Sequence, residues 1–280
     1  MPEIGEIQAH AERLNTDWAG KTLTAFRPIT FYVLKTFAPD PASTHGEVLH
    51  RVDTRGKYLR LWMDTAVFIV HLMQGGRLRP DEKQSAKPRG GQARWTFDDG
   101  TALLLTEAGT DKRAGVWVMP IDADLDADPP LDYLGPDADS VDESALAGLL
   151  GEHSMRLHGF LRRQTIMAGL GRRLANDICH EAQISPFAST GKLSADQIAA
   201  LHGAIDTCIA SSLEFERTQD EIVASAKRPS AVHNRTGEPC PRCGDVIREV
   251  AYNKYTVNYC APCQTSGKVL ADNTTSKFLK

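Results

Sequence analysis

The 280-residue chain is predicted to be an α+β protein with three structured parts: an N-terminal antiparallel β-sandwich preceded by one helix, a helical region, and a C-terminal cysteine hairpin. Three observations predict this order. Short, often alternating apolar segments precede residue 121, helical periodicity dominates after residue 143, and two CxxC pairs stand near the C-terminus. Strands that follow one another without long intervening helices are typical of antiparallel sheets.

The first part begins with a predicted amphipathic helix over residues 5–18, where Ile7, Ala11 and Leu14 share one stripe. Strand-like segments then lie at 22–37, 57–64, 66–73, 93–99, 101–108 and 115–120. Gly, Pro and Asp separate these segments, and residues 81–91 are expected to form a loop.

The second part follows an acidic stretch. Residues 122–143 hold nine acidic side chains, no Lys and no Arg, and are expected to form a linker. Helical patterns follow at 143–153, 160–170, 174–184 and 194–216, with Ser194 as the N-cap of the last. We therefore predict a sandwich domain at 1–121, an acidic linker at 122–142, a helical domain at 143–230 and a hairpin domain at 231–280.

The distribution of charge permits nucleic-acid binding without requiring it. The net charge is −4, and removing the nine negative charges of the acidic stretch leaves +5 for the rest of the chain. No apolar run reaches 18 residues, and the charged N-terminus lacks the apolar region of a secretory signal. We expect a cytoplasmic protein that does not enter a membrane.

The four C-terminal cysteines have the spacing of a zinc site. Cys240 and Cys243 form one CxxC pair, and Cys260 and Cys263 form the other after sixteen intervening residues, which suffice for two strands and a turn. Four thiolates complete a tetrahedral zinc site with no open position, so one structural zinc ion is expected. A redox dithiol and chance spacing are the alternatives. Cys179 and Cys208 are isolated and are interpreted as core residues.

The N-terminus offers a nucleophile if the initiator methionine is removed. Pro2 would then present a secondary amine, and an α-amine has a pKa near 8, so part of it is neutral at pH 7. A neutral amine can attack a sugar C1′ and form a Schiff base. Glu3 could donate or shuttle a proton, and Glu6, one turn later, could orient the group or bind a water. Proline is nevertheless common at this position, and acidic residues favour a helix start for other reasons.

Segments along nearly the whole chain resemble, in order, the formamidopyrimidine-DNA glycosylase and endonuclease VIII family of base-excision repair enzymes. The segments are MPEIGEI (1–7), RGKYLRL (55–61), HLMQGGRLR (71–79), TDKRAGVW (110–117), LDYLGPDA (131–138), GLGRRLANDICHEAQISP (169–186), GEPCPRCG (237–244) and NYCAPCQ (258–264). The resemblance implies a helix–two-turn–helix motif in the helical domain and a zinc finger in the hairpin.

The resemblance also implies roles for individual residues. Pro2 matches the nucleophile, Glu3 the general acid, and Lys57 a lysine that contacts phosphate and assists catalysis. Asn176 matches a residue that binds the phosphates flanking the lesion, and Arg113 matches an arginine that reaches the kinked backbone and the orphaned base. Read without the resemblance, these are a solvated strand lysine, a capping asparagine and a surface ion-pair arginine. A core role and DNA contact are equally open for His71.

Three features depart from the family pattern. In the family pattern the hairpin carries a phosphate-binding arginine that is linked to a second elimination step, and Tyr255 stands at that position here. Lys254, beside it, is the substitute candidate. Because lysine supplies a point charge but not the two-pronged donor of arginine, the second elimination is in doubt. The side chains that fill the space left by a flipped base are also altered: Ala114 follows Arg113, and Met73 and Gln74 are the remaining candidates. The segment 220–232 is shorter than the loop that oxidised-purine enzymes carry at this place. Its shortness favours pyrimidine lesions or abasic sites as substrates.

The expected function is removal of oxidised bases from double-stranded DNA, with strand cleavage at the abasic site through a Schiff base on Pro2. A monomer is expected, near the nucleoid if the source is bacterial. Two alternatives remain at this stage. One is a catalytically silent protein of the same fold that binds damaged DNA, and the other is a zinc-ribbon adaptor for protein partners.

Overall fold

A computed structural model of the chain describes residues 1–224, 227–252 and 255–270. These residues form two compact units. The first consists of residues 1–134 and 213–223, and the second consists of residues 135–212 together with the described residues from 224 onward. The predicted four-part division remains a prediction, because compactness alone does not define functional domains.

The elements follow one another in an α+β order. The helices are α1 (Ile4–Trp18), α2 (Glu143–Glu152), α3 (Leu157–Leu161), α4 (Arg172–Glu181), α5 (Ala195–Arg217) and α6 (Ala261–Thr265). The strands are β1 (Leu23–Pro28), β2 (Arg51–Arg55), β3 (Tyr58–Trp62), β4 (Ala66–His71), β5 (Gly76–Pro80), β6 (Gly91–Phe97), β7 (Ala102–Glu107), β8 (Gly115–Pro120), β9 (Ile247–Ala251) and β10 (Thr256–Cys260).

The first unit is an antiparallel β-sandwich, as the sequence predicts. One four-stranded sheet has the order β1-β6-β7-β5, and the other has the order β2-β3-β4-β8. A continuous core of buried side chains includes Phe68, Trp95 and Leu105 from the strands and Ile7 and Leu14 from α1. The sandwich is a rigid base on which the N-terminus and several loops are fixed.

Sequence patterns missed β2 and β5, and both are edge strands. Arg51–Arg55 and Gly76–Pro80 each hold one buried aliphatic side chain, Val52 or Leu78, among charged residues. Charged edge strands are common because they discourage pairing with another chain. The apolar alternation that reveals a central strand is therefore absent from them.

The segment predicted to be an acidic linker is partly packed. Leu125 and Leu131 are buried with Tyr58, Val67 and Ile69 of the second sheet. The apolar positions of this acidic segment therefore cover an outer sheet face. The linker assignment stays a prediction, and the structure adds that composition conceals a few buried leucines among its many aspartates.

The second unit contains the remaining helices and the cysteine hairpin. The helical prediction for 160–170 is wrong beyond Leu161, where α3 ends. The side chain of Gln164 explains the difference: it donates to the carbonyls of Arg162 and Leu170 and accepts from the Gly169 N–H. Gly169 has a φ of +100°, which breaks the helix. Ser194 is confirmed as a capping residue of α5, since its Oγ accepts from the Gln197 N–H at 3.3 Å.

Candidate active site and nucleic-acid interface

The N-terminus is held by a reciprocal cap at the start of α1. The Glu3 side chain accepts from the Glu6 N–H, and the Glu6 Oε2 accepts from the Glu3 N–H at 2.6 Å. Glu3 is 4% exposed and Glu6 is fully buried. Pro2 is buried and Met1 is 41% exposed. Loss of Met1 would convert the Pro2 nitrogen from an amide into a secondary amine, directly before the capped Glu3.

Lys57 lies in the tight turn between β2 and β3. Gly56, which precedes it, has a φ of +56°, and Arg55 pairs directly with Tyr58 across the turn. A lysine in a hairpin turn is normally solvated, yet Lys57 is only 7% exposed. The interpretation of Lys57 as a solvated strand lysine is therefore wrong in position and in burial.

His71 links Lys57 to the chain terminus electrostatically. Burial first, and then the positive charges of Lys57 and of the terminal amine, lower the pKa of His71 to about 4. The ring lies 4.5 Å from that of Tyr58, and Nδ1 accepts from the Met73 N–H at 3.3 Å. His71 is therefore neutral near pH 7. The two roles predicted for it, core residue and DNA contact, both remain compatible with this half-buried position.

The turn after β4 presents the predicted space-filling side chains. Met73 is half-buried and has a φ of +53°, a strained value for a side chain of this type. Gln74 is exposed beside it. Gly76 closes the turn, and a Cβ there would lie 2.0 Å from the Leu72 carbonyl oxygen. Of the two candidates, Gln74 is the one displayed to solvent.

Arg113 stands on an exposed loop held by a buried carboxylate. Glu107, 3% exposed, accepts from the N–H groups of Arg113 and Ala114 at 2.7 Å each through the same oxygen. The Arg113 side chain pairs with Asp111 at 2.7 Å and is 65% exposed. Ala114 is fully buried and cannot act as a wedge in this arrangement. Sequence reasoning missed Glu107, because nothing local distinguishes it from other strand-end glutamates.

The four cysteines of the hairpin converge in the second unit. Their sulfur atoms all lie within 4.8 Å of one another, with Cys240 and Cys263 at 3.9 Å and Cys243 and Cys260 at 3.4 Å. A tetrahedral site with metal–sulfur bonds of 2.3 Å places sulfur atoms about 3.8 Å apart, so the cluster fits a zinc ion. Gly244, with a φ of +79°, forms the first knuckle.

His180 of α4 supports the cysteine cluster. Its Nε2 lies 3.2 Å from the sulfur of Cys240, which ties the hairpin to the helix. Burial raises the pKa of the Cys240 thiol, but hydrogen bonds from the backbone of Cys243 and Arg242 outweigh it and lower the pKa to about 6. A lowered pKa favours the thiolate that a metal requires. His180 was not predicted, since its partner lies sixty residues away.

Asn176 is placed differently from the expectation. It is the fifth residue of α4 rather than a first-turn residue, and it is fully buried. Its Nδ2 lies 2.8 Å from His233 Nδ1 and 3.4 Å from Asn258 Oδ1. The phosphate contact of Asn176 stays a prediction; in this structure the side chain joins α4 to His233, which precedes the hairpin, and to Asn258 of β10.

Arg172 occupies the position that was expected of Asn176. It is exposed at the first residue of α4, directly after the N-cap Gly171. A helix N-terminus favours anions, and an arginine there adds a full positive charge. The GLGRR segment carried this signal, but the resemblance drew attention to the asparagine further along.

Tyr255, at the position where the resemblance implied an arginine, is part of an aromatic stack. Its ring lies 4.8 Å from that of Tyr252 at an interplanar angle of 15°, and Phe187 stacks on Tyr252 at 6.5 Å. The guanidinium of Arg162 lies 4.3 Å from the centre of the Tyr255 ring. Lys254, the predicted substitute, lies outside the described residues.

The structure thus brings the predicted residues together in two sets. Pro2, Glu3, Glu6, Lys57 and His71 share the first unit, where His71 senses both Lys57 and the terminus. Tyr255 and the cysteines share the second unit with Arg172, Arg162 and His180. Within the described part of the chain, no helix has the length and apolar character needed to cross a membrane.

Comparison with known proteins agrees with this arrangement. Residues 1–113 match the sequence model of the formamidopyrimidine-DNA glycosylase N-terminal domain. A formamidopyrimidine-DNA glycosylase-like protein of Mycobacterium tuberculosis is 41% identical over 149 residues, which are 52% of this chain and 94% of that protein. The formamidopyrimidine-DNA glycosylase of Symbiobacterium thermophilum is 26% identical over 277 residues, covering 94% of this chain and 89% of the relative.

Solved structures share the fold. The glycosylase of Lactococcus lactis, bound non-covalently to DNA containing an AP site, has a TM-score of 0.83 at 20% identity and covers 94% of this chain and 99% of its own. A MutM complex with DNA containing carbocyclic 8-oxo-G also has a TM-score of 0.83, at 21% identity, over 94% of this chain and 100% of its own. By its sequence relatives, this chain belongs to the formamidopyrimidine-DNA glycosylase family.

Proposed function

We propose that this chain excises a damaged base from duplex DNA and cleaves the resulting abasic strand through an imine formed on the nitrogen of Pro2. The observation that carries the proposal is the cluster formed by the chain terminus, Lys57 and His71, in which the terminus and Lys57 both act on a neutral histidine. Lys57 is buried, and both it and the amine of Met1, one residue before Pro2, act on the same ring and so lie near it. A neighbouring cation favours the neutral, nucleophilic form of an amine, which is the form that amine catalysis requires.

The chemistry begins once Met1 has been removed. The Pro2 nitrogen attacks C1′ of the extruded nucleoside and gives up its N–H proton, which protonates the base as the bond from C1′ to the base breaks with its electron pair on the base. Glu3, held by the cap, delivers a proton to the ring oxygen as the C1′–O4′ bond opens and the iminium forms. The Glu3 carboxylate then accepts a proton from C2′ as the 3′ phosphate is expelled, and water releases the sugar and regenerates the amine.

Glu6 takes no part in proton transfer in this scheme and serves to position its neighbours. Its carboxylate is occupied by the Glu3 N–H at 2.6 Å, so it fixes the peptide that joins Pro2 to Glu3. Lys57 repels the protonated amine and offers a cation to the phosphate beside the lesion. The zinc ion would be held by Cys240, Cys243, Cys260 and Cys263 and would keep the hairpin folded, with no part in the chemistry.

The proposed lesion class rests on the length of one segment. The shortness of the 220–232 segment favours oxidised pyrimidines and abasic sites over oxidised purines. Since the substrate is genomic DNA, we also propose that the protein works in the bacterial cytoplasm as a monomer. A panel of duplexes carrying each lesion, with product ends separated on a gel, tests the preference and shows whether one or two eliminations occur.

Borohydride trapping tests the chemistry. Hydride reduces an iminium to a stable amine, so tag-free protein with Met1 removed should become covalently attached to an abasic duplex. Peptide mapping should place the adduct on Pro2. Protein retaining an N-terminal extension, in which the Pro2 nitrogen is an amide, should form no adduct while binding the duplex equally well. Binding without any adduct in either form would indicate the catalytically silent alternative.

A further inference from the structure

The hairpin of this chain carries an aromatic ring, Tyr255, at the position where the resemblance implied a phosphate-binding arginine, and a cation from elsewhere in the same unit lies on that ring. Arg162, the C-cap residue of α3, places its guanidinium carbon 4.3 Å from the centre of the Tyr255 ring. A guanidinium over an aromatic face at this distance is a favourable cation–π contact. Tyr255 therefore fixes the position of Arg162.

The platform beneath Arg162 is itself rigid. Tyr255 is stacked on Tyr252 at 4.8 Å, and Tyr252 is stacked on Phe187 at 6.5 Å. His158 lies four residues before Arg162, on the same side of α3, and its ring is near-parallel to Tyr255 at 6.3 Å. These contacts restrain a side chain that would otherwise sample many rotamers.

The electrostatic surroundings of Arg162 are those of an anion site. Burial lowers the pKa of the Arg162 guanidinium; Tyr255 opposes that change, and the positive charge of Arg172 adds to it. Arg162 Nε is buried and has no hydrogen-bond partner among the described residues. His158 is 3% exposed, and its Nε2 also has no partner within the part of the chain that the structure describes.

Arg172 completes the site. It is exposed at the N-terminus of the ten-residue helix α4, where helix N–H groups and the helix dipole favour an anion. Two arginines that repel each other, with donors not yet used, are stabilised by a dianion or by a phosphodiester that accepts from both. A flexible surface lysine would provide neither the fork nor the fixed geometry.

We propose that Arg162, held against Tyr255, supplies together with Arg172 the DNA-phosphate contact that the hairpin of this chain lacks at position 255. The proposal rests on the proposed function only in taking DNA as the ligand. It makes Arg162 a binding residue for the phosphate backbone and Tyr255 a positioning residue that acts through it. It also replaces Lys254 as the source of the missing charge.

The salt dependence of DNA binding tests the proposal with the full-length, zinc-loaded protein and an abasic-analogue duplex. Arg162→Met removes the charge but keeps an apolar stem, and Arg163→Met is the matched control, because Arg163 is its exposed neighbour. Each phosphate contact contributes about 0.9 to the slope of log K against log salt. Arg162→Met should lower that slope by about 0.9 and weaken binding roughly tenfold or more at moderate salt. Arg163→Met should leave both unchanged.

Further variants separate contact from structure. Arg162→Lys should restore the salt slope but only part of the affinity. Tyr255→Leu should weaken binding in the wild-type background and have no further effect once Arg162 is Met, because it acts through Arg162. Unchanged zinc content and melting temperature would show that these variants fold.

Two results would overturn the proposal: equal slopes for the Arg162→Met and Arg163→Met variants, or loss of the contact in Lys254→Met alone. Failure of the proposed function is recognised separately, as absence of the borohydride adduct. The salt slope is measured by binding and does not require chemistry, so it reports on Arg162 in either case.

Discussion

The N-terminal cluster and the cysteine hairpin hold their functional side chains in opposite ways. Around Pro2, charged residues are buried on a core that exists without them: Lys57, Glu3 and Glu6 are all less than a tenth exposed, and α1 packs on the same sandwich. The hairpin has two five-residue strands and a small cluster of Val232, Ile247 and cysteine side chains. The first region can rely on hydrophobic burial, whereas the second has a small apolar cluster that a metal held by its four cysteines would complete.

Because the two regions are held differently, we expect them to respond differently to substitution. In the N-terminal cluster a substitution should alter the chemistry while the sandwich stays folded. In the hairpin a substitution at a ligand should remove the local fold and therefore every contact built on it. Variants in the N-terminal cluster and in the hairpin therefore test whether the two regions respond differently.

The largest effect is expected from blocking Pro2. An N-terminal extension converts the amine into an amide, so trapping on an abasic duplex should fall by at least about a thousandfold, since an amide nitrogen is not a nucleophile. The melting temperature should change by less than about 1 °C, because the residues of the sandwich core are untouched. Gel quantification of adducts and thermal unfolding provide the two measurements. A blocked protein that traps normally would locate the nucleophile elsewhere.

Removal of the metal should act on the other region. Cys260→Ser or treatment with a chelator should weaken duplex binding about a hundredfold, because the hairpin and the Tyr255 platform lose their fold together. Amide hydrogen exchange should accelerate in β10 and stay slow in β4, which lies in the sandwich. Equal acceleration in both strands would show that the two regions are not energetically separate. Cys208→Ser, outside the metal cluster, is the control.

Sequence reasoning succeeded where the signal is local. The CxxC spacing defines the metal cluster without help from the rest of the chain, because short knuckles determine their own geometry. The Glu3–Glu6 cap is also local, and the spacing of the two glutamates already places Glu6 one turn after Glu3.

Residues whose partners are distant in sequence were missed. Arg162 meets Tyr255 and His180 meets Cys240 across long separations. Glu107 was missed for another reason, because it holds a loop only six residues away through backbone N–H groups, which leave no side-chain pattern. Asn176 shows the same limit from the other side. The sequence places it in a motif but does not reveal its burial or its contact with His233, which is 57 residues away.

A smaller effect is expected at the carboxylate that holds the Arg113 loop. Glu107→Leu leaves the N–H groups of Arg113 and Ala114 without their acceptor, which should lower the free energy of unfolding by about 2 kcal/mol. Chemical denaturation measures this change, and Glu82→Leu, in an exposed loop, is the control. If Glu107→Leu unfolds at the same denaturant concentration as the wild type, the loop does not depend on this carboxylate.

The last and most gradual effect concerns acid stability. Because the pKa of His71 is about 4 in the folded chain and about 6.5 for an unperturbed histidine, the unfolded state binds a proton between these limits while the folded state does not. The free energy of unfolding should therefore fall as pH drops from 6.5 to 4. Replacement of His71 by Gln should remove up to about 1.4 kcal/mol per pH unit of that slope. Denaturation curves at pH 7, 6 and 5 provide the check. An unaltered slope would mean that His71 is accessible to protons in the folded state.

Residues 213–223 have a consequence for how the protein can be divided. They come between two stretches of the second unit, yet they belong to the first: Arg217 pairs with Glu12 on α1, Arg13 donates to the carbonyls of Glu216 and Gln219, and Ile222 enters the sandwich core. A gene fragment that ends at residue 134 would therefore encode a sandwich with a gap. Recombination between relatives would exchange the sandwich intact only if both of its separated pieces moved together.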